Sequence, residues 1–111
     1  MQFCISHIDR IAFVAGTHNE ASCKRLADLL NEHQIDHNHP HVYFSQLLGM
    51  SDNLSFNLSD AGYNVAKYVP FGPVKAVLPY LFRRAQENTA IAGQTSRELG
   101  LITKEKNRRK R

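Results

Sequence analysis

The chain has 111 residues, 42% of them hydrophobic and 22% charged, which is enough for one folded domain with an ordinary core. No run of about 18 apolar residues occurs, so no membrane-crossing helix is expected. The net charge of +4 is local: residues 104–111 hold six of the 14 basic side chains and one of the 10 acidic ones, leaving 8 basic against 9 acidic in residues 1–103. A nucleic-acid-binding fold spreads positive charge over a structured face, so the body is not expected to bind nucleic acid.

The opening MQFCISHIDR lacks both a secretory apolar stretch and the Arg-rich, acid-poor character of a mitochondrial presequence, so no address is expected there. Cys4 and Cys23 form no C-x-x-C pair. Cys23 falls on a predicted helix, as a free buried thiol of a reducing compartment would.

Residues 11–15, IAFVA, are a continuous apolar run of the kind that a strand covered on both faces requires. Gly16 ends it, and Thr17, His18 and Asn19 form a turn in which Thr17 or Asn19 caps a helix. That helix buries Ala21, Leu26, Leu29 and Leu30 and fades near His33. His33, His37, His39 and His41 then crowd a polar stretch. Zinc sites usually join ligands from two elements, and Pro40 interrupts the run, so a helix-to-strand loop without metal is expected.

Residues 41–45 read as a second strand. QLLGMSD turns into a short helix capped by Ser51 or Asp52, striped by Leu54 and Leu58, and stopped after Asp60 with Gly62 in a left-handed position. The third strand is residues 63–69. Pro70, Gly72 and Pro73 break it and restart the chain as helix; Pro79 removes a backbone donor, which predicts a short first turn, a kink, and a main helix from about residue 78 to 90. Beyond residue 93 apolar residues thin to Leu99, Leu101 and Ile102. The final KEKNRRKR reads as a disordered basic end rather than a nuclear address or an RNA contact.

Three successive strand-helix units imply a parallel sheet with its sites beyond the carboxyl ends of the strands. Those ends carry Thr17, His18 and Asn19, then Gln46, Leu47 and Leu48, then Tyr68 followed by the last helix. On that helix Tyr80, Arg83, Arg84, Glu87 and Asn88 share one face, opposite Val74, Val77, Leu78, Leu81, Phe82 and Ala85. Two readings stand: a solvated face with Glu87 bridging an arginine, or an anion clamp in which paired guanidiniums grip a carboxylate or phosphate.

The run YVPFGP, PYL and RRAQEN from Tyr68 to Asn88, preceded in order by GTHNE at residues 16–20 and FSQLLGM at residues 44–50, resembles the closing part of the proline dehydrogenase catalytic barrel. The resemblance covers about residues 11–92, with residues 1–10 as a lead-in and 93–111 as a polar to basic tail. It implies an α/β fold of three βα units from the end of a (β/α)8 TIM-like barrel. Members are mitochondrial FAD enzymes that oxidise L-proline to pyrroline-5-carboxylate and pass electrons to a membrane quinone. By this likeness Arg83 and Arg84 hold the proline carboxylate, Tyr68, Tyr80 and Leu47 wall the ring, and Thr17, His18, Asn19 and Glu87 contact FAD. No catalytic residue is implied on this segment. Members that oxidise hydroxyproline tend to carry Ser where Tyr68 stands, which favours proline.

The family's first five strands, with an active-site Lys and Asp, have no counterpart here. A truncated product or an incomplete gene model is therefore expected, inactive alone, with an exposed apolar sheet face, two open edges and possible association with a full-length copy. The alternative from another class is a non-enzymatic binding module whose basic tail contacts nucleic acid or acidic lipid.

Overall fold

Residues 1–69 and 70–111 are two separate compact units, and the computed structural model describes residues 1–90 and 94–110. The first unit runs α1 (Gln2–Ser6), β1 (Phe13–Gly16), α2 (Glu20–Glu32), β2 (Val42–Leu47), α3 (Asp52–Asp60), β3 (Val65–Tyr68). Its strands form one parallel sheet in the order β1-β2-β3, as three strand-helix repeats demand. Phe13 stands opposite Val42 and Gly16 opposite Ser45; Phe44 stands opposite Val65 and Leu47 opposite Tyr68.

Strand limits differ from the expected ones for local reasons. Ile11 is drawn into a turn by donating its N–H to the His7 carbonyl at 2.9 Å, so β1 starts at Phe13. The second strand runs on to Leu47 because β3 keeps pairing with it, up to Leu48 N–H donating to the Tyr68 carbonyl at 3.0 Å. Tyr63 and Asn64 are withheld from β3. The Tyr63 N–H closes the end of α3 on the Leu58 carbonyl, and the Asn64 amide donates to the His39 and Val42 carbonyls.

Asn19 caps α2 as expected, its Oδ1 accepting from Ser22 N–H at 3.0 Å. The buried stripe is Cys23, Leu26, Leu29 and Leu30, while Ala21 is exposed, because the sheet-facing side of the helix is set one residue pair later. These residues pack with Ile5, Val42, Phe44, Leu58 and Tyr63 into the core, so the lead-in contributes Ile5 to it. Burial pushes the Cys23 thiol pKa up, as a structural cysteine requires.

Alternation along the strands sends Phe13, Ala15, Val42, Phe44 and Val65 to the helix-covered face and Val14, Tyr43 and Tyr68 to the other. Val14, Tyr43 and Tyr68 are 59%, 40% and 51% exposed. The expected apolar open face is present, and among the described residues β1 and β3 each leave an edge unpaired.

The second unit holds α4 (Val74–Ala90) and α5 (Gln94–Arg109). Pro73 starts α4, its carbonyl accepting from Ala76 and Val77. Pro79 does not divide the element into a turn and a later main helix: Val74–Ala90 is one helix. Proline there forfeits one ladder bond, to the carbonyl of exposed Lys75, which water can satisfy. The basic end is likewise not disordered over its described residues, 104–110. It is helical through Arg109, because Glu105 pairs with Arg108 at i+3 and Arg109 at i+4, and three basic residues in the last turn suit the negative pole of the helix. The expected boundary at residues 92–93 lies outside the described residues.

Candidate site at the carboxyl edge of the sheet

Because the strands are parallel, the turns after β1 and β2 and the end of β3 lie along one edge of the sheet. Thr17 N–H donates to the Ser45 carbonyl at 3.1 Å, which docks the first turn on the end of β2. Thr17 Oγ1 accepts from Asn19 N–H at 3.0 Å, fixing the turn that presents the Asn19 cap. Leu47, nearly buried, stands opposite half-exposed Tyr68. The structure thus brings Thr17, His18, Asn19, Leu47 and Tyr68 together, five of the nine residues singled out from the sequence.

His18 has both ring nitrogens engaged. Nε2 lies 3.5 Å from Leu47 N–H, which can only donate, so Nδ1 carries the proton and donates to Ser51 Oγ at 2.8 Å. The Leu47 contact is long and weak; the Ser51 one is strong. Ser51 or Asp52 was expected to cap α3, and it is Ser51 that stands there. It occupies the cap position with φ +49° and makes no side-chain cap bond, its hydroxyl being turned to His18 instead.

Two residues of this edge, Ser55 and Lys67, escaped the sequence reading, which places Gln46 at a strand end without a role. Gln46, 2% exposed, donates from Nε2 to the Thr17 carbonyl at 3.2 Å and accepts from Ser55 Oγ at 2.9 Å. Lys67 Nζ donates to the Met50 carbonyl at 2.6 Å and meets Asp52 Oδ1 at 2.9 Å. A glutamine and a lysine at inward-facing strand positions were the available signal. Among the described residues no buried polar side-chain atom lacks a partner, so the network is complete as it stands.

The histidine-rich stretch has structural employment. His37 donates from Nδ1 to the Ala61 carbonyl at 2.9 Å and stacks on Tyr63, and His41 donates to the Ile8 carbonyl at 2.6 Å. His39 Nδ1 accepts from His41 N–H at 3.1 Å.

The remaining four candidates belong to the second unit. On α4, Arg84 binds both carboxylate oxygens of Glu87 and lies 5.0 Å from the Tyr80 ring centroid. Glu87 raises the Arg84 pKa above its ordinary value through that bond. Arg83 is exposed and takes part in no ion pair among the described residues. Tyr80, Arg84 and Glu87 therefore form one cluster, and the Asn88 side chain lies outside the described residues. Paired guanidiniums suit a carboxylate or phosphate, and here the Glu87 carboxylate already occupies Arg84.

A family model described as proline dehydrogenase matches residues 1–97, beyond the stretch that the motifs carried. Proline dehydrogenase 1, mitochondrial, of Dictyostelium discoideum is 46% identical over 100 residues, covering 89% of this chain and 18% of that protein. The human proline dehydrogenase 1, mitochondrial, is 46% identical over 110 residues, 96% of this chain and 18% of that protein. A hydroxyproline dehydrogenase of Xenopus laevis is 43% identical over 96 residues, 86% of this chain and 21% of that protein. The chain thus spans about a fifth of the length of the curated relatives it matches. No solved structure matches it.

Proposed function

This chain belongs to the proline dehydrogenase family, and on that premise we propose that it is part of a mitochondrial flavoenzyme oxidising L-proline to pyrroline-5-carboxylate. Its three βα units are the last portion of a (β/α)8 barrel, whose other strands cover the open sheet face and its two edges. FAD supplies the hydride acceptor for C5 of the proline ring, and a membrane quinone takes the electrons onward.

The observation that carries this reading is the pairing of Leu47 with Tyr68 beside the Thr17–His18 turn. An apolar wall next to a rim of hydrogen-bonding groups fits a small aliphatic ring on the wall beside a partly polar flavin on the rim. In this assignment Thr17, His18, Asn19 and Glu87 contact FAD. Arg83 and Arg84 hold the proline carboxylate through their planar forks, while Tyr68, Tyr80 and Leu47 wall the pyrrolidine ring. The phenol of Tyr68 leaves little room for an added hydroxyl, so proline is preferred to hydroxyproline. The 111 residues alone neither retain FAD nor oxidise proline.

The test is a chimaera in which residues 1–111 replace the matching segment of the Dictyostelium relative. The purified chimaera should carry a flavin absorbance band and reduce a dye with proline, and the isolated chain should do neither. A flavin-free, inactive but folded chimaera, or a yellow and active isolated chain, overturns the proposal.

A further inference from the structure

Helix α5 places cations next to exposed aliphatic side chains. Residues 104–110 contain Lys104, Lys106, Arg108, Arg109 and Lys110 against Glu105 alone. Glu105 is held by Arg108 Nε and Nη2 at 2.7 and 2.6 Å and by Arg109 Nε at 2.9 Å, so its charge is spent inside the helix. Lys104, Lys106 and Lys110 join no ion pair among the described residues. One to two turns earlier, Leu99 and Ile102 are each 65% exposed. Leu99, Ile102, Lys106 and Arg109 follow one another at spacings of three, four and three, which sets them along one side of the helix.

We propose that α5 is a docking helix for a membrane surface rich in anionic lipid. A cluster of four to eight cations is drawn to such a surface, and flexible lysine stems let neighbouring apolar groups sink while the charges stay at the headgroups. Leu99 and Ile102 supply those groups, and an interfacial helix gains from burying them just below the headgroups. A nucleic acid would satisfy the cations but offers no apolar layer to two exposed aliphatic side chains, which is why lipid is favoured. The proposal stands on α5 alone and does not depend on proline chemistry or on flavin.

The test is sedimentation of the 111-residue chain with vesicles of pure phosphatidylcholine and with vesicles containing phosphatidylglycerol, compared with retention of a short DNA duplex. Binding should favour the anionic vesicles at least about tenfold and fall steeply between about 0.05 and 0.5 M salt. The triple variant K104E/K106E/K110E, which keeps good helix formers, should lose about a hundredfold. L99S/I102S should weaken vesicle binding severalfold at unchanged charge, with little effect on any DNA retention. Equal binding to both vesicles, as adhesion through the open sheet face would give, overturns the proposal. So does binding to DNA without binding to vesicles, or vesicle binding indifferent to both variants.

Discussion

His18 Nδ1 donates to Ser51 Oγ across 2.8 Å, joining the turn after β1 to the turn after β2 at the edge where the candidate site lies. Thirty-three positions separate the two residues in the chain. The bond is part-buried, so its coupling in a double-mutant cycle of H18A and S51A should be about 1 kcal/mol. Urea unfolding of the two single variants and the double variant measures it, and simple additivity would mean that the turns are held by something else.

Gln46 should matter more than either. It is buried, and both ends of its amide are used, one on the Thr17 carbonyl and one on the Ser55 hydroxyl. In Gln46→Leu the Ser55 hydroxyl keeps its alternative acceptor, the Ser51 carbonyl at 3.1 Å, while the Thr17 carbonyl loses a donor. The expected loss is about 1–3 kcal/mol in denaturant unfolding. A neutral result would indicate that water replaces the amide there.

Sequence patterns exposed the parallel architecture well, because apolar runs, the Asn19 cap and Gly62 at φ +87° are local signals with one physical meaning each. Gly62 sits where a left-handed residue must end α3, and only the backbone is involved. What escaped was the polar network behind the edge. Ser55, Lys67 and the part that Gln46 plays depend on partners that the fold brings from other elements: alternation along VYFSQL turns its glutamine inward but does not name the serine nine positions on as its partner. Ser51, one of the two residues expected to cap α3, does hold the cap position, yet a long-range bond to His18 claims its hydroxyl. The basic end misled for a related reason. Charge density argued for disorder, whereas the spacing of Glu105 to Arg108 and Arg109 argues for helix.

That spacing has a pH consequence. Hydrogen bonds from Arg108 and Arg109 hold the Glu105 carboxyl down at about 2, below its ordinary value of 4.5. A carboxyl depressed on folding favours the helix at all pH above the ordinary value and loses that contribution as pH falls from 4.5 to about 2. Far-UV circular dichroism should therefore record declining helicity over that window, and Glu105→Gln should flatten this part of the titration. Glu105 is half-exposed and both arginines are exposed, so added salt should blunt the effect as well.

Glu87 allows the two readings of α4 to be separated. Its carboxylate already occupies Arg84, whereas Arg83 has no ion-pair partner among the described residues. In the chimaera, Arg83→Ala should raise the KM for proline by about 10- to 100-fold, the loss of one charge-assisted contact, with flavin content unchanged. Glu87→Gln then discriminates. If Glu87 only screens Arg84, releasing that guanidinium should lower KM at constant flavin occupancy; if Glu87 contacts FAD, flavin content should fall. A KM that ignores Arg83→Ala would remove the anion clamp altogether and leave the arginine face to solvent.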